Sequence, residues 1–143
     1  MSKSKGNVVY VEDLLKRHYA PRDIRFFLLN GHYRKKQNIT SDLLKRSRKS
    51  LETLRRDIRL VCRPDPSVQR SDRSARNAIR KMVPDFEKAM GNDLHADEAV
   101  KGVTDKVKLL AGLKRKNKLK AKDSNKIREH IANIDRVLRV FDM

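Results

Sequence analysis

The spacing of apolar residues limits most strongly what this chain can fold into. Leu44, Leu51, Leu54, Ile58 and Val61 fall three, four or seven positions apart, which places them on one side of a single helix. The same spacing returns in Ile79, Met82, Val83, Phe86 and Met90, in Val100, Val103, Val107 and Leu110, and in Ile127, Ile131, Ile134, Leu138 and Phe141. Hydrophobic and charged residues each make up 38% of the 143 residues, so these stripes are narrow and the core must be assembled by packing them face to face. A narrow stripe cannot be buried alone, and an all-α fold, an antiparallel bundle of three or four helices, is the expected solution.

Local signals bound the elements. Thr40 or Ser41 supplies an N-cap for the first long helix, and Arg63-Pro64-Asp65-Pro66 ends it, because neither proline can continue a helix. A second long element is expected from about Ser71 to Met90, with Pro84 either kinking it or opening its second half. Gly91-Asn92-Asp93-Leu94-His95 reads as a loop. Helices from about Ala96 to Lys114 and from about Asp123 to Phe141 complete the set. Ahead of the bundle, residues 1–7 read as a flexible loop and Val8-Val9-Tyr10 as a short extended stretch. Short helices follow from Val11 to about His18 and from Pro21 to the Asn30-Gly31 stop. Two parts are expected, residues 1–40 and residues 41–143.

The charge balance points to a partner. Thirty-six Lys and Arg against 18 Asp and Glu give a net charge of +18. A chain this basic repels itself unless a polyanion offsets it, and nucleic acid is the usual one. Arg46, Lys49, Arg56 and Arg59 project from one long helix. Lys114, Arg115, Lys116, Lys118, Lys120 and Lys122 form the densest basic run. Together they are expected to follow RNA phosphates, positioning the RNA without reading its sequence.

Other chemistry is poorly represented. His18, His32, His95 and His130 are scattered and lack metal-ligand spacing. No Walker-type phosphate loop or nucleophile motif occurs. Glu12-Asp13 and Asp97-Glu98 sit in helix first turns, where the macrodipole accounts for them. The single cysteine, Cys62, excludes an intrachain disulfide and reads as a half-buried structural thiol. No apolar run approaches the roughly 20 residues of a membrane span. A cytoplasmic location without membrane contact is expected.

A resemblance sharpens this reading. Met1-Ser2-Lys3-Ser4 with Gly6-Asn7 resembles the signature loop of class I aminoacyl-tRNA synthetases. Asp13 to Tyr19, Asp23 to Leu29 and Gly31 to Arg34 look like cysteinyl-tRNA synthetase in order and spacing. Gln37 to Thr40, Phe86 to Met90, Asp93 and Ala96 to Ala99 continue the likeness. The resemblance implies the C-terminal part of that family: signature loop, stem-contact segment and DALR-type helical bundle. It implies that Lys3, with Met1, Ser2 and Ser4, contacts ATP, and that Asp23-Ile24-Arg25 lies in a helix where the family carries an arginine pattern.

The family's Rossmann domain, with its adenylate motif and zinc, would precede the loop and has no counterpart in these residues. The family's full enzyme joins cysteine to its tRNA with ATP. This chain alone is expected to be inactive, with no catalytic residue and no cofactor or metal of its own. The partners expected are tRNA and a catalytic domain in the same or another chain. Two alternatives stand beside this reading: a stand-alone nucleic-acid-binding protein, and a module completing a separately encoded catalytic domain.

Overall fold

The computed structural model describes residues 9–31, 34 and 36–142, and every regular element among them is a helix. They are α1 (Val11–Lys16), α2 (Pro21–Leu29), α3 (Ser41–Cys62), α4 (Arg73–Gly91), α5 (Ala96–Arg115) and α6 (Ala121–Leu138). The expected loop at residues 1–7, and Val8 of the expected extended stretch, lie outside the described residues.

Each start has a local cause. The Asp13 carboxylate reaches back to the Tyr10 N–H at 3.2 Å, and Asp23 does the same for Ala20 at 3.2 Å. Pro21 occupies the first turn of α2, where no N–H is needed. Thr40 caps α3 by accepting the Leu43 N–H, and Asp72 caps α4 by accepting from Ser74. Two residues beyond the end of α5, Asn117 sits at φ 55°, and the Lys118 N–H returns to the Leu113 carbonyl at 2.9 Å. Asn tolerates this left-handed turn better than most residues.

Pro84 neither ends α4 nor opens its second half, since the helix is unbroken from Arg73 to Gly91. Pro84 is exposed, so water can serve the carbonyl that its missing N–H leaves unpaired. α6 stops at Leu138, earlier than Phe141. Its cap, Arg139, turns left-handed at φ 51°, and both Val140 and Phe141 then donate N–H groups to the Asp135 carboxylate, at 2.8 and 2.9 Å. Phe141 is thereby returned to the core on a hook instead of a helix.

The four long helices form a bundle in which α5 lies against α3 and α4, and α6 lies against the same two. Consecutive helices are antiparallel, but α3 and α4 sit diagonally, as do α5 and α6, so the order around the bundle is α3, α5, α4, α6. Cross-helix bonds fix the directions. Arg115 at the end of α5 meets Asp57 near the end of α3, so these neighbours run parallel. Arg128 of α6 donates to the Cys62 carbonyl, and Arg55 of α3 to that of Phe141, so α3 and α6 are antiparallel. The five residues 116–120 reach at most ~17 Å, enough for a diagonal of ~13 Å between axes packed 8–10 Å apart.

The core is the meeting of the four stripes. Leu51, Leu54, Ile58 and Val61 face Ile79, Met82 and Phe86, Val100, Val103, Val107 and Leu110, and Ile127, Ile131, Ile134 and Leu138. Each fully buried aliphatic side chain stabilises by about 1.5–3 kcal/mol relative to exposure. Phe26 of α2 enters this core from the side, while Leu14, Ile24 and Leu44 make a second, smaller cluster. Arg25 fastens α2 to the end of α6, donating from Nε to the Leu138 carbonyl at 2.6 Å.

Candidate nucleic-acid interface

One end of the bundle collects the C-termini of α3 and α5 and the N-termini of α4 and α6. The Arg115–Asp57 ion pair at 2.6 Å joins α5 to α3 there. The Asp72 N–H donates to the Lys118 carbonyl, and the Lys120 N–H to Ser71 Oγ, both at 3.0 Å, tying the link between α5 and α6 to the start of α4. Within residues 55–80 and 110–130, which build this end, Lys and Arg outnumber Asp and Glu by sixteen to five. Two helix N-termini and two C-termini meet here, so their macrodipoles oppose one another and the side chains set the field.

Three of those five acids are engaged locally. Asp57 pairs with Arg115. Asp65 accepts from Ser67 through side chain and backbone, and Asp72 accepts from Ser74 in the same way. These serine hydrogen bonds, assisted by Lys114 and Arg63 at Asp65 and by Lys118 and Arg76 at Asp72, hold both carboxyls below the usual range. Arg59, Arg63, Arg73, Arg76, Lys116, Lys118 and Lys122 are exposed and make no ion pair among the described residues.

The residues expected to bind RNA are therefore redistributed. Arg56 and Arg59 are exposed on the turns of α3 that flank Asp57, the residue with which Arg115 pairs. Arg46 and Lys49 are also exposed, but Arg46 lies about 20 Å from Arg59 along α3, at 1.5 Å per residue. They border a groove of about 1170 Å³ between α2, α3 and α5, which Lys101 and Lys108 line from the other wall. Arg115 is half-exposed and committed to Asp57. Lys120 is partly buried, and Lys116, Lys118 and Lys122 stand in solvent.

Lys114 corrects the expectation that the whole run faces outward. It is 9% exposed, and its Nζ is buried without a hydrogen-bond partner. The signal was present in the sequence, because Lys114 lies seven after Val107 and four after Leu110 and so continues the core stripe of α5. Arg63, Arg70, Arg73 and Arg76 were not singled out from the sequence. They belong to a connection and a separate helix, and only the bundle brings the start of α4 to the end where α3 and α5 stop.

Cys62 is buried, and desolvation pushes its thiol up to about 11 despite nearby Arg128. A thiol so placed is a packing group and a poor nucleophile. Among the described residues no group of three His, Cys, Asp or Glu side chains is arranged to hold a metal ion. No described helix is long and apolar enough to cross a membrane. Met1, Ser2, Lys3 and Ser4, implied by resemblance as ATP contacts, lie outside the described residues, as does His32.

Residues 1–49 match the family of tRNA synthetases class I (C), catalytic domain. The chain is thus a relative of the class I aminoacyl-tRNA synthetases, and the match ends inside α3. Within that class it is related to the cysteine–tRNA ligases. The enzyme from Shewanella sp. (strain MR-4) is 35% identical over 117 residues, covering 80% of this chain and 23% of that protein. The Cronobacter sakazakii enzyme is 33% identical over 145 residues, covering 99% and 28%. That of Leptospira interrogans serovar copenhageni is 26% identical over 144 residues, covering 99% and 31%. The chain therefore spans between about a quarter and a third of the length of these relatives.

Proposed function

We propose that this chain is the tRNA-binding helical region of a protein related to the cysteine–tRNA ligases. In that reading residues 1–40 carry the signature loop and stem-contact segment, and residues 41–143 form the RNA-gripping bundle. The whole activity joins cysteine to tRNA using ATP, with Lys3 among the ATP contacts. The observation that carries the reading is the gathering of Arg56, Arg59, Arg63, Arg73, Lys116 and Lys118 at one end of the bundle. Lysine and arginine on phosphates release counterions, which favours binding and makes it salt-dependent. The test is fluorescence anisotropy with labelled tRNA over a salt series. Affinity is expected to fall steeply with salt, and combined reversal at Arg56, Arg59, Lys116 and Lys118 to abolish binding while the helical signal is kept. A variant that binds as well as the parent chain refutes the assignment.

A second reading has its own observation. Tyr10, Val11 and Leu15 on and beside α1 are 60%, 57% and 42% exposed, an apolar face within the segment matched to the catalytic-domain family. This face favours docking against a catalytic unit, in the same chain or another. Mixing with such a unit would then restore cysteine attachment, and charged residues at Val11 and Leu15 would prevent it.

A further inference from the structure

We infer that residues 137–142, the end of α6 and the hook beyond it, are a strap that locks α2 to the bundle, so that α2 and the hook loosen together when the strap is released. The inference goes beyond the RNA reading and does not depend on it. α1 and α2 fall within residues 1–49, the segment matched to the catalytic-domain family, and the strap falls outside that segment. α2 does not pack against α6. Side chains alone make the connection.

Three arginines converge on the strap. Arg22 and Arg25 stand one turn apart on α2, and Arg55 stands on α3. Arg22 pairs with the Asp142 carboxylate, and Arg55 Nη2 reaches the same carboxylate oxygen at 3.0 Å. Arg55 Nε also donates to the Phe141 carbonyl at 3.1 Å. Arg25 donates from Nε to the Leu138 carbonyl at 2.6 Å and from Nη2 to that of Val137 at 3.4 Å. Those two carbonyls lie in the last turn of α6, where the helix has no further N–H to offer them. A guanidinium there also meets the negative end of the macrodipole. Asp142 is thus clasped between α2 and α3, and α6 takes its C-terminal cap from α2.

The strap is built to hold one position. Arg139 and Asp142 adopt φ 51° and 55°, so the chain turns left-handed twice within four residues. Asp135 holds the Val140 and Phe141 N–H groups, and both side chains are buried in the main core. On the other side, α2 is seated by Phe26 in the same core and by Asp23, which faces Arg48 of α3 at 3.6 Å. Arg22 and Arg25 add a tie to a further part of the bundle. The clasp itself stands half in water, with the Arg22 and Asp142 side chains 41% and 47% exposed. It can therefore open by side-chain rotation, without unwinding a long helix. Segments held in this way open as one unit, at a lower free energy than global unfolding.

Hydrogen exchange of the full chain, followed amide by amide by NMR, tests the strap in the parent, Asp142→Ala and Arg25→Gln. Each substitution removes charge-assisted bonds and is expected to speed exchange roughly tenfold, in α2 and at Val140 and Phe141 alike. α4 and α5 are expected to keep their protection. Coupling between two places is reciprocal, so Arg25→Gln on α2 should expose the hook, and Asp142→Ala in the hook should expose α2. Acceleration confined to the element that carries the substitution overturns the inference and leaves the hook as a simple end cap. Equal acceleration in all six helices overturns it too, since a general loss of stability needs no strap. Should Arg25→Gln fail to fold by circular dichroism, Asp142→Ala, at a half-exposed position, decides the question through α2.

Discussion

The Arg115–Asp57 pair allows a sharp test, because its two partners are unequally buried. The Asp57 side chain is 8% exposed and that of Arg115 is 53% exposed, with a separation of 2.6 Å. Removing Arg115 strands a carboxylate inside the bundle with no other hydrogen-bond donor identified near it. Leaving a buried charged acceptor unsatisfied costs about 2–3 kcal/mol. Removing Asp57 instead leaves a guanidinium already half in water, which rehydrates at little cost. Alanine at position 57 also gains about 0.5 kcal/mol in helix propensity, so Asp57→Ala should stay within about 1 kcal/mol of the parent chain.

Urea denaturation of Arg115→Ala, Asp57→Ala and the double variant measures all three. The double variant should resemble Asp57→Ala, because the stranded charge is gone, giving a coupling of about 2–3 kcal/mol, the whole cost of Arg115→Ala. Asp57→Ala also frees Arg115 at the basic end, so tRNA binding should tighten while the fold is kept. The reasoning fails if Arg115→Ala costs no more than Asp57→Ala, or if the double variant is as unstable as Arg115→Ala.

Three further outcomes are expected. Burial raises the Cys62 thiol from its ordinary 9.0 to about 11, so below pH 9 the thiol is neutral whether the chain is folded or unfolded, and the stability it contributes is intact. Between pH 9 and 11 only the unfolded thiol ionises, so stability falls by an amount on the order of 2–3 kcal/mol, and denaturation of Cys62→Ala over the same range should lack that component. Asp135→Ala removes the acceptor of both the Val140 and Phe141 N–H groups and should cost about 1–3 kcal/mol, with hydrogen exchange accelerating first at those two amides. Arg139 holds φ 51°, a region where glycine has no Cβ penalty. Arg139→Gly should therefore raise stability by up to about 1 kcal/mol in thermal denaturation, and an unchanged or lower Tm would refute the strain argument.

What the sequence by itself determined is the set of helices and the face each one buries. The stripes Leu51–Val61, Val100–Leu110 and Ile127–Leu138 are buried as their spacing requires, because periodicity is a property of a single helix and needs no knowledge of its neighbours. The caps at Thr40 and Pro21 are equally local. Even the buried Lys114 was written in the register of α5, though its charge argued for the surface. Residues 1–49, the loop together with the segment that follows it, also relate the chain to its synthetase relatives.

Only the tertiary structure decided which helix ends meet. The diagonal placement of α3 opposite α4 and of α5 opposite α6 gathers Arg59, Arg63, Arg73, Arg76, Lys116 and Lys118 at one end of the bundle. It also separates Arg46 and Lys49 from Arg59, although all stand on one helix. Four amphipathic helices can be ordered around a core in several ways that bury the same stripes. The choice rests on long-range contacts such as Asp57 with Arg115 and Cys62 with Arg128, and no pattern of local spacing encodes those.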